Sequence, residues 1–194
     1  MKKSTIAIIA VLAIIVIWAI SSYNGLVNKQ ETVNTAWSNV ETQYQRRADL
    51  IPNLVATVKG YAAHEENTFK EVVEARSKAT QTTLTVDELT EENMQKYQKA
   101  QGEVGSALSR LLAVTENYPD LKANENFIEL QAQLEGTENR ITEARKSFNE
   151  TAREYNVSVR KFPGNLIAGM FGFQTKPLFT AAEGTDKAPT VSFD

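Results

Sequence analysis

The segment Ala36–Ala63, AWSNVETQYQRRADLIPNLVATVKGYAA, decides the fold. Around it, mostly apolar side chains recur alternately every four and three residues, which is the spacing of one stripe along an α-helix and not of a β-strand. The stripe consists of Val33, Trp37, Val40, Tyr44, Arg47, Ile51, Leu54, Val58 and Tyr61. Because a stripe of this length needs helices of similar length to cover it, the segment predicts an all-α bundle of long helices.

Further motifs accompany this segment along the chain. They are RRADLIPNLVATVKGYAAHE from Arg46, EARSKA from Glu74, YPDLKANENFIELQAQLEGTENRI from Tyr118, EARKSFN from Glu143, EYN from Glu154 and FPGNLIAGMFGF from Phe162. In this order, over about Tyr23 to Phe179, they resemble the LemA family of bacterial membrane-anchored helical proteins. The resemblance implies an N-terminal membrane helix followed by an antiparallel α bundle, and it implies no established enzymatic activity. Phe148 stands where the family often has tyrosine, so a hydroxyl contact is not carried over to it.

Residues 5–22 form an uncharged, mostly apolar segment that follows Lys2 and Lys3. Its run of consecutive apolar residues, Ile6–Ile20, is shorter than the about 20 residues that a helix needs to span a hydrocarbon core of about 30 Å, but flanking serine and threonine residues complete that length. Trp18 suits the aromatic belt on the far side of a bilayer. The segment therefore predicts a transmembrane signal-anchor helix.

A cleaved signal peptide is the competing interpretation, because a charged start and a short apolar core also describe one. Ala19 and Ser21 could form its small-residue cleavage site. The long, β-branched apolar core and the bulky Trp18 favour an uncleaved anchor.

The charges around this segment predict its orientation. Lys2, Lys3 and the N-terminal amine favour the cytoplasmic side, and shortly after the segment only Lys29 opposes them. We therefore expect a single pass through the bacterial inner (cytoplasmic) membrane, with residues 1–4 in the cytoplasm and the bundle outside it.

Residues 23–162 are expected to form the bundle. Tyr23–Gly25 predicts a break or kink, because asparagine and glycine disfavour helix interiors. The first bundle helix then runs from about Leu26 to Ala63. Pro52 inside it predicts a kink rather than two separate helices, because the apolar stripe keeps its phase across the proline.

Three further helices are predicted from caps and apolar spacing, which makes an antiparallel four-helix bundle. The second helix is expected to follow the cap Asn67 and to end at about Lys78. The third should open with the capping box of Thr85 with Glu88 and end at about Asn117, and the fourth should open with Asn126 and Glu129 and end at about Phe162. The first and fourth helices should each be about 57 Å long at 1.5 Å per residue.

Residues 163–179 form an apolar segment after the fourth helix. Because that helix returns to the level at which the first one leaves the membrane, the segment is predicted to lie beside the membrane. Its candidate contacts with lipid or a neighbouring subunit are Leu166, Ile167, Met170, Phe171 and Phe173. The alternative is that they fold back onto the base of their own bundle. Residues 180–194 are polar and small and are expected to be a disordered tail.

Arg47 is the charged residue on the stripe, and burying it without a partner would cost several kcal/mol. We therefore expect a buried ion pair or hydrogen-bond network with the fourth helix, through a residue such as Glu143, Asn149 or Asn156. A guanidinium that binds a ligand or a partner is the alternative. The candidate structural or partner-binding residues are Arg47, Asp49, Pro52, Asn53, Asn149 and Asn156.

Composition argues against several kinds of site. The chain has no cysteine and one histidine, His64, which excludes thiolate and histidine-rich metal sites. Thr68 stands where an HExxH zinc motif needs its second histidine. The net charge of −3 argues against nucleic acid, whose binding needs a basic face. We therefore predict no catalytic residue, no metal, no cofactor and no enzymatic activity.

Two classes of function remain. The first is a non-catalytic, membrane-anchored scaffold or adaptor at the bacterial cell envelope, which self-assembles through its helical faces or binds an envelope protein. The second is an extracytoplasmic ligand- or peptide-binding accessory or sensor protein. A sensor normally has a signalling domain across the membrane, and only residues 1–4 precede the apolar segment, which favours the scaffold. The expected partners are membrane lipid, further copies of the chain and an envelope protein.

Overall fold

A computed structural model describes residues 3–180, and within that range it contains α-helices and one short 3-10 turn but no β-strand. The helices are α1 (Lys3–Lys59), α2 (Glu66–Gln81), α3 (Glu91–Thr115), α4 (Pro119–Lys122), α5 (Glu125–Arg160) and α6 (Gly164–Phe171), and the turn is Val86–Glu88. The predicted all-α fold is confirmed. Residues 1–2 and almost all of the tail predicted at 180–194 lie outside the described residues.

The helix α1 is a single helix of 57 residues that runs from the apolar segment into the bundle. At 1.5 Å per residue it is about 85 Å long. The predicted break at Tyr23–Gly25 is wrong. Leu26 is buried, and the ring of Tyr23 lies 4.8 Å from that of Phe171, so tertiary packing on both sides of this point outweighs a weak local preference. Pro52 lies inside α1, as predicted.

The helices α1 and α5 lie side by side in opposite directions. Lys29 Nζ donates to Ser158 Oγ (2.6 Å) near the apolar segment, and Asn124 Nδ2 donates to the Tyr61 hydroxyl (2.9 Å) at the other end. The second antiparallel pair, α2 with α3, is joined by the ion pairs Lys78–Glu103 (2.7 Å) and Arg110–Glu71 (2.9 Å). These four helices make the predicted bundle.

The start of the third helix differs from its prediction. The predicted capping box is present, with the main-chain N–H of Thr85 donating to Glu88 Oε2 (2.9 Å), but it closes only the 3-10 turn. The helix α3 begins after Thr90, whose hydroxyl accepts a hydrogen bond from the Asn93 N–H (3.2 Å).

The predicted caps of α2 and α5 are wrong by a few residues. Asn67 lies inside α2, which already begins at Glu66. Asn124, rather than Asn126, caps α5 by accepting a hydrogen bond from the Phe127 N–H (3.0 Å). Several neighbouring polar residues satisfy the same capping pattern, so the pattern does not select one of them.

The buried side chains form two clusters along the bundle. The proximal core, nearer the apolar segment, is rich in aromatic residues and includes Trp37, Tyr44, Tyr97, Phe148, Tyr155 and Phe179. The distal core is mainly aliphatic and includes Ile51, Leu54, Val58, Val72, Leu111 and Leu134. On the α1 stripe the change between them falls at Arg47. The last stripe position, Tyr61, is 43% exposed, because α1 ends at Lys59.

Candidate functional site

Arg47 on α1 joins three helices. Its Nη1 donates to Glu138 Oε1 on α5 (2.8 Å), and its Nη2 donates to the main-chain oxygen (3.0 Å) and the side-chain oxygen (2.8 Å) of Gln101 on α3. Arg47 is 4% exposed, whereas the Glu138 side chain is 47% exposed, so the carboxylate keeps contact with water. The guanidinium also lies 5.1 Å from the centre of the Tyr44 ring, within cation–π range.

This network is a polar layer between the two cores. Gln101 is buried, and on α5 Thr137 is fully buried with its hydroxyl donating to the Gln133 carbonyl (2.7 Å). A partner on α5 was expected, but the candidates named for it are wrong, because Glu138 takes that place. Those candidates were Glu143, Asn149 and Asn156. The bonds of Arg47 are suited to aligning α1, α3 and α5 with one another.

Pro52 is linked to a second contact between helices. Proline has no N–H, so the carbonyl of Ala48, four residues earlier, loses its helical hydrogen bond. Arg76 Nε on α2 donates to that carbonyl at 2.7 Å. Arg76 therefore replaces the missing bond and ties α2 to α1. This role was not predicted from the sequence, although the proline marks the carbonyl that needs a donor.

Asp49 and Asn53 are exposed on α1. Asp49 Oδ1 accepts a hydrogen bond from Gln45 Nε2 (2.8 Å), and the main-chain carbonyl of Asn53 accepts one from the Thr57 hydroxyl (2.9 Å). Asp49 borders an open cleft of about 740 Å³, whose lining includes Arg46, Arg47, Arg76, Tyr97 and Gln101. The hydrogen bonds that the structure describes place neither Asp49 nor Asn53 in the Arg47 network.

Two buried tyrosines, Tyr44 and Tyr97, lie next to the polar layer. Burial raises the pKa of Tyr97 far above its usual value, Tyr44 and Glu41 raise it further, and Arg47 lowers it. Burial also raises the pKa of Tyr44, against the charges of Arg145 and Arg47. Both phenols are therefore neutral at physiological pH, which suits packing better than proton transfer.

Asn149 and Asn156 bind the residues that follow α6. We call residues 173–180 the strap; they run without regular secondary structure back along α5. Asn156 Nδ2 donates to the Lys176 carbonyl (2.7 Å), and Asn156 Oδ1 accepts from the Lys176 N–H (2.8 Å). Asn149 makes the same two bonds with Phe179, at 3.0 and 2.8 Å. Each amide side chain thus pairs with both main-chain groups of one strap residue, as a neighbouring β-strand would.

The spacing of the two asparagines explains why both bonds can form. Seven residues of α5 rise about 10.5 Å, and three residues of an extended chain advance about 10 Å. The strap is therefore extended between Lys176 and Phe179, and it runs antiparallel to α5. Sequence reasoning selected both asparagines but missed the strap, since it named them as candidate partners of Arg47.

Phe179 attaches the strap to the proximal core. Its ring lies 5.9 Å from that of Trp37 in a stacked arrangement and 5.5 Å from that of Phe148 edge-on. At the other clamp, Lys176 Nζ donates to the Val86 carbonyl (2.9 Å) of the 3-10 turn. The strap therefore bridges α5 and the connection between α2 and α3.

The apolar segment 163–179 divides between two environments. Ile167 is buried against the bundle, and Phe173 is half-buried with its ring 5.6 Å from that of Tyr23. The residues of α6 that face outward are Leu166, Met170 and Phe171, at 54%, 77% and 58% exposed. The predicted contact residues are thus not one surface: three are exposed, with Phe171 among them also touching Tyr23, and two lie against their own bundle.

The described residues 3–180 contain no group of three or more His, Cys, Asp or Glu side chains that could hold a metal ion. His64 is exposed in the connection between α1 and α2. The polar groups that the bundle does gather are guanidinium, carboxylate, amide and main-chain groups bonded to one another. Such an arrangement is suited to holding chain segments in place.

Comparison with known proteins identifies the family of the chain. A profile of the LemA family matches residues 36–193. The chain is 30% identical over 175 residues to magnetosome protein MamQ of Magnetospirillum gryphiswaldense, covering 81% of this chain and 64% of that protein. It is 28% identical over 191 residues to magnetosome protein MamQ 2 of Paramagnetospirillum magneticum (89% and 70%), and 22% identical over 160 residues to protein LemA of Metamycoplasma hominis (82% and 69%). With its profile match extending over the bundle, α6 and the strap, the chain belongs to the LemA family.

Proposed function

We propose that this LemA family chain is a non-catalytic, membrane-anchored helical bundle that assembles with copies of itself into a scaffold or adaptor at the bacterial cell envelope. Residues 5–22 are its uncleaved anchor in the cytoplasmic membrane, residues 1–4 are cytoplasmic, and the bundle stands outside the cytoplasm. Its partners are lipid, other copies of the chain and an envelope protein. The observation that carries the proposal is the outward-facing apolar surface of α6 beside the end of the apolar segment.

The apolar part of α1 supports the anchor. By length and composition it can cross a membrane, and none of its most apolar 18-residue window is buried in the described structure. Because α1 continues unbroken into the bundle, an anchor at its start would hold the bundle at a fixed angle and height. A fixed height suits a scaffold, since the same surfaces of neighbouring copies then face one another.

The exposed side chains around α6 support contact with lipid or with another copy. Phe162 and Met170 are 74% and 77% exposed. Met170 belongs to α6, against which the Tyr23 ring packs through Phe171, and Phe162 precedes α6 by two residues. Clustered, exposed, large apolar side chains are typical of membrane or protein contacts.

The polar contacts of the bundle support a non-catalytic role. Arg47 is bonded to Gln101 and Glu138, Arg76 is bonded to a main-chain carbonyl, and the amides on α5 are bonded to the strap. Each of these groups already has a partner that positions a helix or a chain segment.

A ligand-binding accessory protein is a second candidate, because of the cleft beside Arg47. Arg46 and Arg76 line this cleft of about 740 Å³ with Arg47, against the carboxylates Glu41 and Asp49, so its lining has three positive and two negative side chains that a small anion or an acidic peptide could meet. Isothermal titration with acidic peptides distinguishes the candidates. Binding that Arg46→Ala abolishes while assembly is unchanged would favour this second function.

Serine substitutions at Leu166, Met170 and Phe171 test the proposed scaffold in the full-length protein reconstituted in lipid. We expect smaller assemblies by mass photometry with only a small decrease in unfolding temperature, because all three side chains are exposed and only Phe171 also packs on the Tyr23 ring. The matched control is serine at Val73, Ile128 and Val157, which are 53%, 53% and 54% exposed on other surfaces. Wild-type protein that stays monomeric in lipid would contradict self-assembly, and unchanged assemblies in the α6 variant would contradict the role of α6.

The anchor and its orientation need a separate experiment. The chain has no cysteine, so Ile128→Cys introduces a single label site on α5. We expect a membrane-impermeant maleimide to label it in intact spheroplasts. Labelling only after lysis would contradict the orientation, and a mature chain that begins near Ser22 by mass spectrometry would contradict the anchor.

A further inference from the structure

The groove that holds the strap has the features of a binding site for an extended peptide. Asn149 and Asn156 read main-chain groups, which every peptide has, and Phe179 fills an aromatic pocket. Arg145 completes the site, with its guanidinium 4.7 Å from the centre of the Phe179 ring and its Nη2 donating to the Thr180 carbonyl (3.3 Å). Main-chain clamps with one side-chain anchor are the elements by which proteins bind extended segments in trans.

We propose that this groove also accepts the strap of a second copy of the chain, so that neighbouring copies exchange straps. The inference deepens the proposed self-assembly and rests on it. Exchange keeps every contact of the strap, because each copy supplies the same groove and the same ligand, and such swaps are a low-cost route to dimers. If the straps pass onward in one direction, they produce a chain of copies instead of a closed pair.

The residue before the strap marks where an exchange would begin. Gly172 caps α6 with a φ of +75°, nothing lies within 4 Å of the position that a Cβ would take, and the Phe173 N–H that follows donates to the Ala168 carbonyl (3.0 Å). The helix α6 stays on its own bundle, because Ile167 and Ala168 are buried in the proximal core. Gly172 therefore lies between a helix packed on its bundle and a strap whose first residue, Phe173, would leave the Tyr23 ring of its own copy on exchange.

The reach of the strap selects a neighbour in direct contact. From Gly172 to the first clamp at Lys176 a fully extended chain spans at most about 14 Å. A helix with its side chains is about 10–12 Å across, so this reach covers one helix width and requires the groove of the neighbour to lie directly beside α6. Copies anchored through α1 in one membrane would present grooves and straps at equal height, which meets this condition.

Cysteine cross-linking between two differently tagged full-length copies tests the exchange. One copy carries Arg145→Cys in the groove, and the other carries Thr180→Cys on the strap. With both in the same membrane, we expect oxidation or a short bismaleimide to give a heterodimer. The matched control is Ser147→Cys in place of Arg145→Cys, since Ser147 borders a different cleft, between α1 and α5. The groove position should cross-link several-fold more than this control, and Asn149→Ala with Asn156→Ala on the groove copy should remove the excess.

Two outcomes would overturn the inference. A single chain with both cysteines that cross-links only internally, with heterodimers at the control level, shows that the strap stays in its own groove. Absence of the internal and the intermolecular product shows that the strap is not seated as described. Mass photometry of the wild type separates these results from the proposed function: assemblies that persist without strap cross-links leave the scaffold intact and remove the exchange.

Discussion

The proximal and distal cores both cover the buried face of α1, but with different side chains and different chain segments. In the distal core, four helices surround aliphatic side chains, and all the buried residues of α2 belong to it. In the proximal core, α2 no longer contributes, and aromatic rings from α1, α3 and α5 meet Phe179 of the strap. Large rings and an extended chain thus fill the place of a missing helix. The bundle needs a full set of helices only where no other segment can cover α1.

A polar layer separates the two cores. It consists of Arg47 on α1, Gln101 on α3 and the neighbouring Thr137 and Glu138 on α5. Apolar layers tolerate sliding of one helix along another, because one aliphatic contact resembles the next. A buried guanidinium with specific acceptors does not, so this layer is the part of the bundle best able to define its alignment.

The largest loss of stability is expected in the distal core. Leu111 on α3 is 0% exposed, and Leu111→Ala should cost about 2–5 kcal/mol, because packed helices close a cavity poorly. Urea unfolding of the full-length protein, followed by circular dichroism, measures it. The control is Val73→Ala on α2, where we expect a change within about 0.5 kcal/mol. Equal losses in the two variants would contradict a tightly packed distal core.

Phe179→Ala should destabilise the proximal core less than Leu111→Ala destabilises the distal one. The strap can detach without unfolding the helices, so the loss should stay below the about 3–5 kcal/mol of a phenylalanine in a continuous core. Trp37 fluorescence should shift to longer wavelength, because the stacked ring is gone. Hydrogen exchange should rise in the strap and stay slow in α2 and α3. Faster exchange in all helices would show that the two cores unfold as one unit.

The sequence predicted the part of this architecture in which apolar side chains recur at a regular helical spacing. Every position of the predicted stripe is buried except Tyr61, since helical spacing alone decides which side chains share a face. Leu26, Ala36 and Ala48 are also buried in α1 but were not on the predicted stripe. The partner of Arg47 could not be predicted, because Glu138 and Glu143 are about 7.5 Å apart along α5 and the choice between them depends on the alignment of two helices. The strap has no repeating pattern of apolar residues. Its clamps bind main-chain groups, which every residue type has, so its sequence does not reveal these contacts.

The polar layer offers the next test, on the boundary between the cores. Gln101→Leu leaves part of the buried Arg47 guanidinium without its acceptor and should cost about 1–3 kcal/mol. Arg47→Met should cost less, because methionine fills a similar volume and removes both the charge and its requirement for hydrogen-bond acceptors. The same urea unfolding measures both, and the double variant should cost less than the sum. A larger loss for Arg47→Met than for Gln101→Leu would reverse this interpretation.

A smaller effect is expected where α2 joins the distal half. Arg76→Leu should cost about 1 kcal/mol, because the Ala48 carbonyl loses its donor. In a Pro52→Ala background the new N–H at position 52 can bond that carbonyl, so Arg76→Leu should then cost less. A double-mutant cycle measures the coupling. Additive losses would show that Arg76 stabilises α2 by some other contact.

The smallest effect at neutral pH, and the most specific to the proximal core, is expected for Tyr97→Phe. Burial holds the pKa of the folded Tyr97 phenol above its usual value, whereas in the unfolded chain it titrates at about 10. The contribution of the neutral Tyr97 phenol to the free energy of unfolding is therefore fully present below about pH 10. It is lost as the pH rises beyond that, at up to about 1.4 kcal/mol per pH unit, because only the unfolded chain releases the proton. Tyr97→Phe removes this loss, so its stability should fall less steeply than that of the wild type above pH 10. Tyr44→Phe should act in the same direction, since burial raises the pKa of Tyr44 as well. Urea unfolding at a series of pH values measures both slopes. Parallel curves for wild type and Tyr97→Phe would mean that water reaches this phenol in the folded protein. The strap would then close the proximal core less tightly than the helices close the distal core.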